Sequence, residues 1–313
     1  MIPPEATTPE ARLAEAVRSH DDDPWGARAL LMPLPGQLTE PDDLARLAWL
    51  AVHVLGGLLK RWPEALAICG QAVAAAGAPR ADMLRSLAAC ATLAGDALEA
   101  AKAEQDLAAI LGAPTADCAV LIRLAVIEQD LGKDKLDRWL PLLDAAAARA
   151  EPIERPAELV RLLAITANNS ASLILEWHPA ASGETARVME RVARLSFRCW
   201  HAVGTWVQHE RAHYLMALVL NATGQWPAAA EHARSGLALI RAHEPQPIDS
   251  CFHQLALARA LGALVDTAGS AAALAEAAAS AAGFDDYWQA EYRKTLAAIQ
   301  AAVMPPGSPP GSP

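Results

Sequence analysis

Phenylalanine and tyrosine are scarce in this 313-residue chain, three of each, and nine tryptophans carry most of an aromatic share of only 5%. Strands draw on β-branched and aromatic runs. No stretch alternates polar and apolar residues convincingly, so a sheet is not expected. A basic surplus is missing too: 26 Lys and Arg against 36 Asp and Glu leave a net charge of −10. That excludes a general nucleic-acid binder, whose phosphate contacts need a positive surface. No Cys-x-x-Cys spacing occurs. The five cysteines (Cys69, Cys90, Cys118, Cys199 and Cys251) lie far apart in predicted helices, so buried, reduced thiols are expected. Such thiols suit a reducing compartment.

Other absences narrow the function. There is no Walker A loop, no G-x-G-x-x-G and no G-x-S-x-G, which argues against an ATPase, a dinucleotide enzyme or an α/β-hydrolase. The opening residues, MIPPEATTPEA, carry neither a basic nor an apolar targeting region. The longest apolar stretch, Leu44 to Leu59, is interrupted by Arg46 and His53 and is short for a bilayer. The expectation is a cytoplasmic protein without a membrane partner.

What is abundant is alanine and leucine, both strong helix formers, within a hydrophobic share of 53%. The expected fold class is all-α. Residues 1–40 read as an N-terminal segment with one short helix and a Pro-rich connection, and Met1 to Thr8 as loose. Residues 41–302 form the main body. Residues 303–313, ending in PPGSPPGSP, read as a disordered Pro/Gly/Ser tail.

The main body repeats itself. KRWPEALAICGQAV at 60–73 is echoed by GQWPAAAEHARSGL at 224–237. In both, proline follows tryptophan where a helix would start, a position that needs no N–H. Glycines at 95, 132, 224 and 269 are expected to turn one helix into the next. The helices are predicted at 42–59 with 63–76, 80–94 with 96–111, and 116–131 with 134–150. Then come 156–176 with 183–202, 205–222 with 227–243, 249–267 with 270–282, and a last helix at 285–302. The final helix offers a polar outer face in Asp285, Asp286, Gln289, Arg293 and Lys294.

This arrangement resembles the tetratricopeptide repeat (TPR) family, in degenerate form, over roughly residues 42–302. Ala217, Gly224, Trp226 and Ala229 fill one unit's pattern. Gly262, Gly269 and Ala281 fill the next, and Ala88, Gly95 and Ala100 an earlier one. The resemblance implies a right-handed α-solenoid of about six antiparallel helix pairs with a C-terminal capping helix. It also implies a concave groove lined by the first helix of each pair, and no cofactor. Register places Arg85, Asn168, Tyr214 and Arg259 in that groove, with Arg123, Asn169, Arg211 and Asn221 within a helical turn. Arginine and tyrosine suit a protein or peptide partner bearing acidic groups. The pattern sets no oligomeric state.

HERAH at 209–213 matches the H-E-x-x-H of zinc proteases. His209 and His213 share a helix face, and Glu210 is placed to activate a metal-bound water. Candidate third ligands are Glu231, His232 and His253, with Cys251 near the last. No strand edge is foreseen to hold a peptide, so a structural role is the leading reading and a metal site the lesser one. Arg187, Arg191, Arg194 and Arg198 make a stripe partly neutralised by Glu184 and Glu190. The expected function is a non-catalytic binding scaffold. The alternatives are a ligand- or peptide-sensing regulator and a zinc metalloprotease.

Overall fold

The computed structural model describes residues 8–150 and 155–303. The opening residues before Thr8 and the expected tail after Val303 lie outside them; Val303 itself ends the last helix. Among the described residues there are fifteen α-helices and no strand. The contacts fall into two compact units, one ending at Thr166 and the other starting at Ala167.

The first unit holds α1 (Pro9–Ser19), α2 (Pro24–Leu31), α3 (Pro41–Leu50) and a π-helix (Ala51–Leu58) continuing from it. There follow α4 (Trp62–Ala75), α5 (Ala81–Ala94), α6 (Ala97–Leu111), α7 (Thr115–Asp130), a 3₁₀ turn (Lys133–Lys135) and α8 (Leu136–Ala150). The first residues of α9 (Ala157–Trp177) complete it. The second unit holds the rest of α9, then α10 (Gly183–Val203), α11 (Trp206–Ala222), α12 (Trp226–Ala242), α13 (Pro247–Ala263), α14 (Thr267–Ala281) and α15 (Asp286–Val303).

Local chemistry explains the boundaries. Proline stands in the first turn of α1, α2, α3, α4, α12 and α13, where its lost N–H has no helical partner to miss. Asp23, Asp96 and Asp266 each cap a helix by accepting a backbone N–H three residues on, at 2.8–3.0 Å. Thr205 and Gln208 form a capping box at α11. Gly95 (φ 82°) and Gly224 (φ 75°) take the left-handed turn expected of them.

Three local expectations change. The N-terminal segment has two helices rather than one. Gly132 is extended (φ −151°), and Gly269 lies inside α14 with its N–H on the Asp266 cap. The turn residue before α14 is Val265, at φ 62°. A β-branched side chain in that region crowds its own backbone. Val265 is 80% exposed, so nothing is lost by trimming it. Val265→Gly should raise the unfolding free energy by about 1 kcal/mol, read as a higher urea midpoint. An unchanged or lower midpoint would show that the turn carries no such strain.

Packing follows sequence order. Within the first unit α4, α5, α6, α7 and α8 each pack on the next; within the second, α10 through α14 do the same. Alternate helices also touch: α3 with α5, α5 with α7, α11 with α13, and α13 with α15. Helical hairpins leaning on their neighbours give this pattern, because one hairpin alone cannot bury its apolar face. Small residues let the helices close. The Trp62 ring crosses Gly56, where a Cβ would stand 2.1 Å from it. The His253 ring lies on Gly236, where a Cβ would stand 2.0 Å from ring Cε1. Arg28 Nε to Glu64 Oε2, 2.8 Å, ties α2 to α4.

All five cysteines are buried and unbridged, as expected. Burial raises the thiol pKa well above its usual value at Cys69, to about 12 at Cys90 and to about 11 at Cys118 and Cys251. No single described helix is long and apolar enough to cross a membrane.

Candidate binding surfaces and the HERAH histidines

Each unit has a pocket on the side formed by alternate helices. In the first, about 370 Å³ is enclosed by α3, α5 and the start of α9. Four guanidinium groups reach it, from Arg46, Arg80, Arg85 and Arg161. Three of them have carboxylate partners. Arg80 pairs with Asp82 at 2.8 Å and Asp42 at 2.5 Å, Arg161 with Glu158 at 2.6 Å, and Arg46 with Asp43 at 3.5 Å. Arg85 differs. It is half-buried, and its Nη1 donates to the Thr166 hydroxyl at 2.9 Å. A hydroxyl is a neutral partner, so Arg85 keeps guanidinium donors for an incoming anion.

The second unit's pocket, about 300 Å³, lies between α11, α13 and α15. Tyr214, Phe252, Tyr287 and Trp288 give it aromatic walls, and Asp249 and Glu291 stand among them. Phe252 meets Trp288 edge to face at 5.9 Å, and Tyr287 meets Trp288 at 5.1 Å. Arg211 is exposed and reaches Asp249 Oδ2 at 3.3 Å. Burial raises the Tyr214 phenol pKa.

The eight groove residues expected from the sequence therefore fall in several settings. Arg85 lines the first pocket, and Arg211 and Tyr214 line the second. Arg123 is exposed on α7. Asn168 and Asn169 sit half-buried on α9, with Asn168 Nδ2 3.4 Å from Asn169 Oδ1. Arg259 donates to the Pro179 carbonyl at 3.2 Å, and burial lowers its pKa. Asn221 is inside, only 1% exposed, and its Nδ2 donates to the Ala256 carbonyl at 2.9 Å. It fastens α11 to α13, a cross-helix bond that a buried amide commonly makes. Unforeseen pocket residues are Arg46, Arg80 and Arg161 in the first unit and Phe252, Tyr287 and Trp288 in the second. The last two came from a helix read only as a polar cap.

HERAH resolves into separate contacts. Glu210 is fully buried and turns to α13, where its Oε2 lies 3.1 Å from His253 Nε2. Arg211 Nε stands 3.4 Å from the other oxygen, without hydrogen-bond alignment. The two histidines meet other helices. His213 Nδ1 lies 3.0 Å from His232 Nδ1 of α12. His209 stacks on His201 of α10, with ring centroids 4.6 Å apart. The Phe197 ring meets His213 and His232 edge-on at 4.9 and 5.2 Å. Burial first, then the neighbouring imidazoles, lowers the His213 pKa to about 4. Among the described residues, no three potential ligands that include His209, His213 or His253 come within 4.8 Å of one another.

The arginine stripe on α10 is tied down: Arg194 pairs with Glu190 at 2.6 Å and Arg187 with Glu184 at 3.6 Å. Glu190 also accepts from Gln225 at 2.6 Å. Compared with protein-family models, the sequence matches none, and no curated protein shows significant similarity to it.

Proposed function

We propose that the chain is a non-catalytic protein- or peptide-binding scaffold of the TPR-like kind. In this reading, about six degenerate helix pairs stack as a right-handed solenoid, α15 caps the stack, and the protein works in the cytoplasm. Sequential packing within α4–α8 and within α10–α14, with α3–α5, α5–α7, α11–α13 and α13–α15 also touching, supports the repeat reading. Buried, unbridged thiols agree with a reducing setting.

The observation that carries the binding role is Arg85. It is a half-buried guanidinium on a pocket wall, bonded to a hydroxyl where its neighbours have carboxylates. Such a group favours a carboxylate or another anion on an incoming segment. An array of short acidic and neutral peptides, read by fluorescence polarisation on the full chain, tests this. Acidic peptides should bind, and Arg85→Ala should weaken them about tenfold or more without shifting the thermal midpoint. Equal binding of acidic and neutral peptides, or an unaltered affinity in Arg85→Ala, would remove the role.

A second reading, a ligand-sensing regulator, is favoured by the aromatic pocket of the second unit. Its volume of about 300 Å³ suits a small flat molecule. Against a metalloprotease at 209–213 stand the burial of Glu210 and its engagement by His253, since a catalytic carboxylate must reach a metal-bound water.

A further inference from the structure

The end of α1 carries a group of side chains unconnected with either pocket's proposed role. His20 is the C-cap residue that follows the last turn of α1, Asp21 comes next, and His53 belongs to the π-helix. Their ligand-bearing atoms all lie within 4.8 Å of one another. His20 Nε2 is 3.4 Å from Asp21 Oδ1, and His53 Nε2 is 3.8 Å from the same oxygen.

The imidazole of His20 is already set for coordination. Its Nδ1 lies 2.7 Å from the Val17 carbonyl. A carbonyl can only accept, so Nδ1 carries the proton and Nε2 presents a lone pair toward Asp21 and His53. This is the hydrogen bond that ligating histidines usually make through their other nitrogen. His53 is held as well: its ring stacks on Trp49 with centroids 5.4 Å apart and planes 5° from parallel. Trp49 also meets His20 edge-on at 5.8 Å. Both imidazoles are thus held by packing, while Asp21, 79% exposed at its side chain, is free to swing.

We propose that His20 Nε2, Asp21 and His53 Nε2 bind a single divalent transition-metal ion of the zinc class. Two imidazoles and one carboxylate are a borderline donor set, which favours zinc over calcium or magnesium. Metal–nitrogen bonds of about 2.0–2.1 Å need the donors to draw somewhat closer, with Asp21 swinging and the two imidazoles turning slightly toward each other. Water completes the shell. The ion ties the end of α1 to the π-helix, pinning the N-terminal segment to α3 and the helices behind it.

The test uses the full chain, stripped with chelator and titrated calorimetrically with zinc alone, then with calcium and magnesium. One equivalent of zinc should bind, with no comparable binding of the two hard cations. His53→Ala should abolish the site. Asp21→Asn, at an exposed side chain that leaves the fold intact, should weaken it about 100-fold. His213→Ala should leave it unchanged, because that residue belongs to the other histidine cluster. Circular dichroism confirms folding of each variant, and Asp21→Asn decides if His53→Ala unfolds. Lack of saturable zinc binding, full affinity in Asp21→Asn, or loss of the site in His213→Ala would each overturn the proposal.

Discussion

Replacing His253 by alanine should lower the unfolding free energy by about 3–5 kcal/mol. The ring is fully buried, and its Nε2 is the hydrogen-bond partner of Glu210, itself fully buried. Without the imidazole, Glu210 Oε2 loses its hydrogen-bond partner, while Oε1 has only the poorly aligned Arg211 at 3.4 Å. A carboxylate stranded in this way must stay charged in a poor solvent or take up a proton, and both cost stability. The ring also fills the space over Gly236, so its removal opens a cavity. Urea unfolding of the single variant measures the sum. Glu210→Met with His253→Phe separates the parts, because that pair keeps the volume and removes the polar requirement. The double variant should recover most of the loss. A single variant losing less than about 1 kcal/mol, or a double variant as damaged as the single, would show that the pair is not what holds α11 to α13.

Acid should weaken the second unit through its other histidines. The pKa of His213 is lowered to about 4 from an ordinary 6.5, mainly by burial and then by His232 and His201. His232 is lowered by burial and by Arg194, and His209 by burial and by His201. Their folded values lie below their unfolded ones, so the unfolded chain takes up protons first as pH falls. The contribution is therefore fully present above about pH 6.5 and is lost as pH drops toward 4. Urea midpoints measured across that window should fall steadily in the wild type. The fall should be shallower in His213→Gln, which cannot ionise. Comparing the two cancels the carboxylates that titrate at the acid end. Identical slopes would mean that His213 ionises as easily in the folded chain as in the unfolded one.

Much of the helical order was legible because it rests on local chemistry. The Trp-Pro pairs at 62–63 and 226–227 mark helix starts, and Gly95 and Gly224 mark helix ends, by rules that need only a few neighbouring residues. Val265 escaped that reading. Its left-handed backbone is imposed by the turn between α13 and α14, and its residue type argues against it. The π-helix escaped as well, since a widened turn leaves Leu44 to Leu59 looking like one ordinary helix.

The sites were legible only as far as register reached. Arg85, Arg211 and Tyr214 line the two pockets, whereas Asn168 and Arg259, assigned to the same column, line neither. Asn221 lies within a turn of that column, but its position on α11 turns it onto Ala256 instead. His232 and His253, named from the sequence beside HERAH, do stand against it, but one meets His213 and the other Glu210. The contact that matters to Glu210 comes from His253 on α13, and no five-residue pattern can reveal it. His20 and His53 were missed for the same reason: only the packing of α1 against the helices that follow brings them together.

The bare backbone at Gly236 makes two positions answerable to each other. Any lineage that acquires a side chain at 236 must first shed the ring at 253, and shedding the ring strands Glu210. Three residues on α11, α12 and α13 thus form a ratchet against single-step drift. In any relative of this chain, positions 210, 236 and 253 should change together or stay as they are.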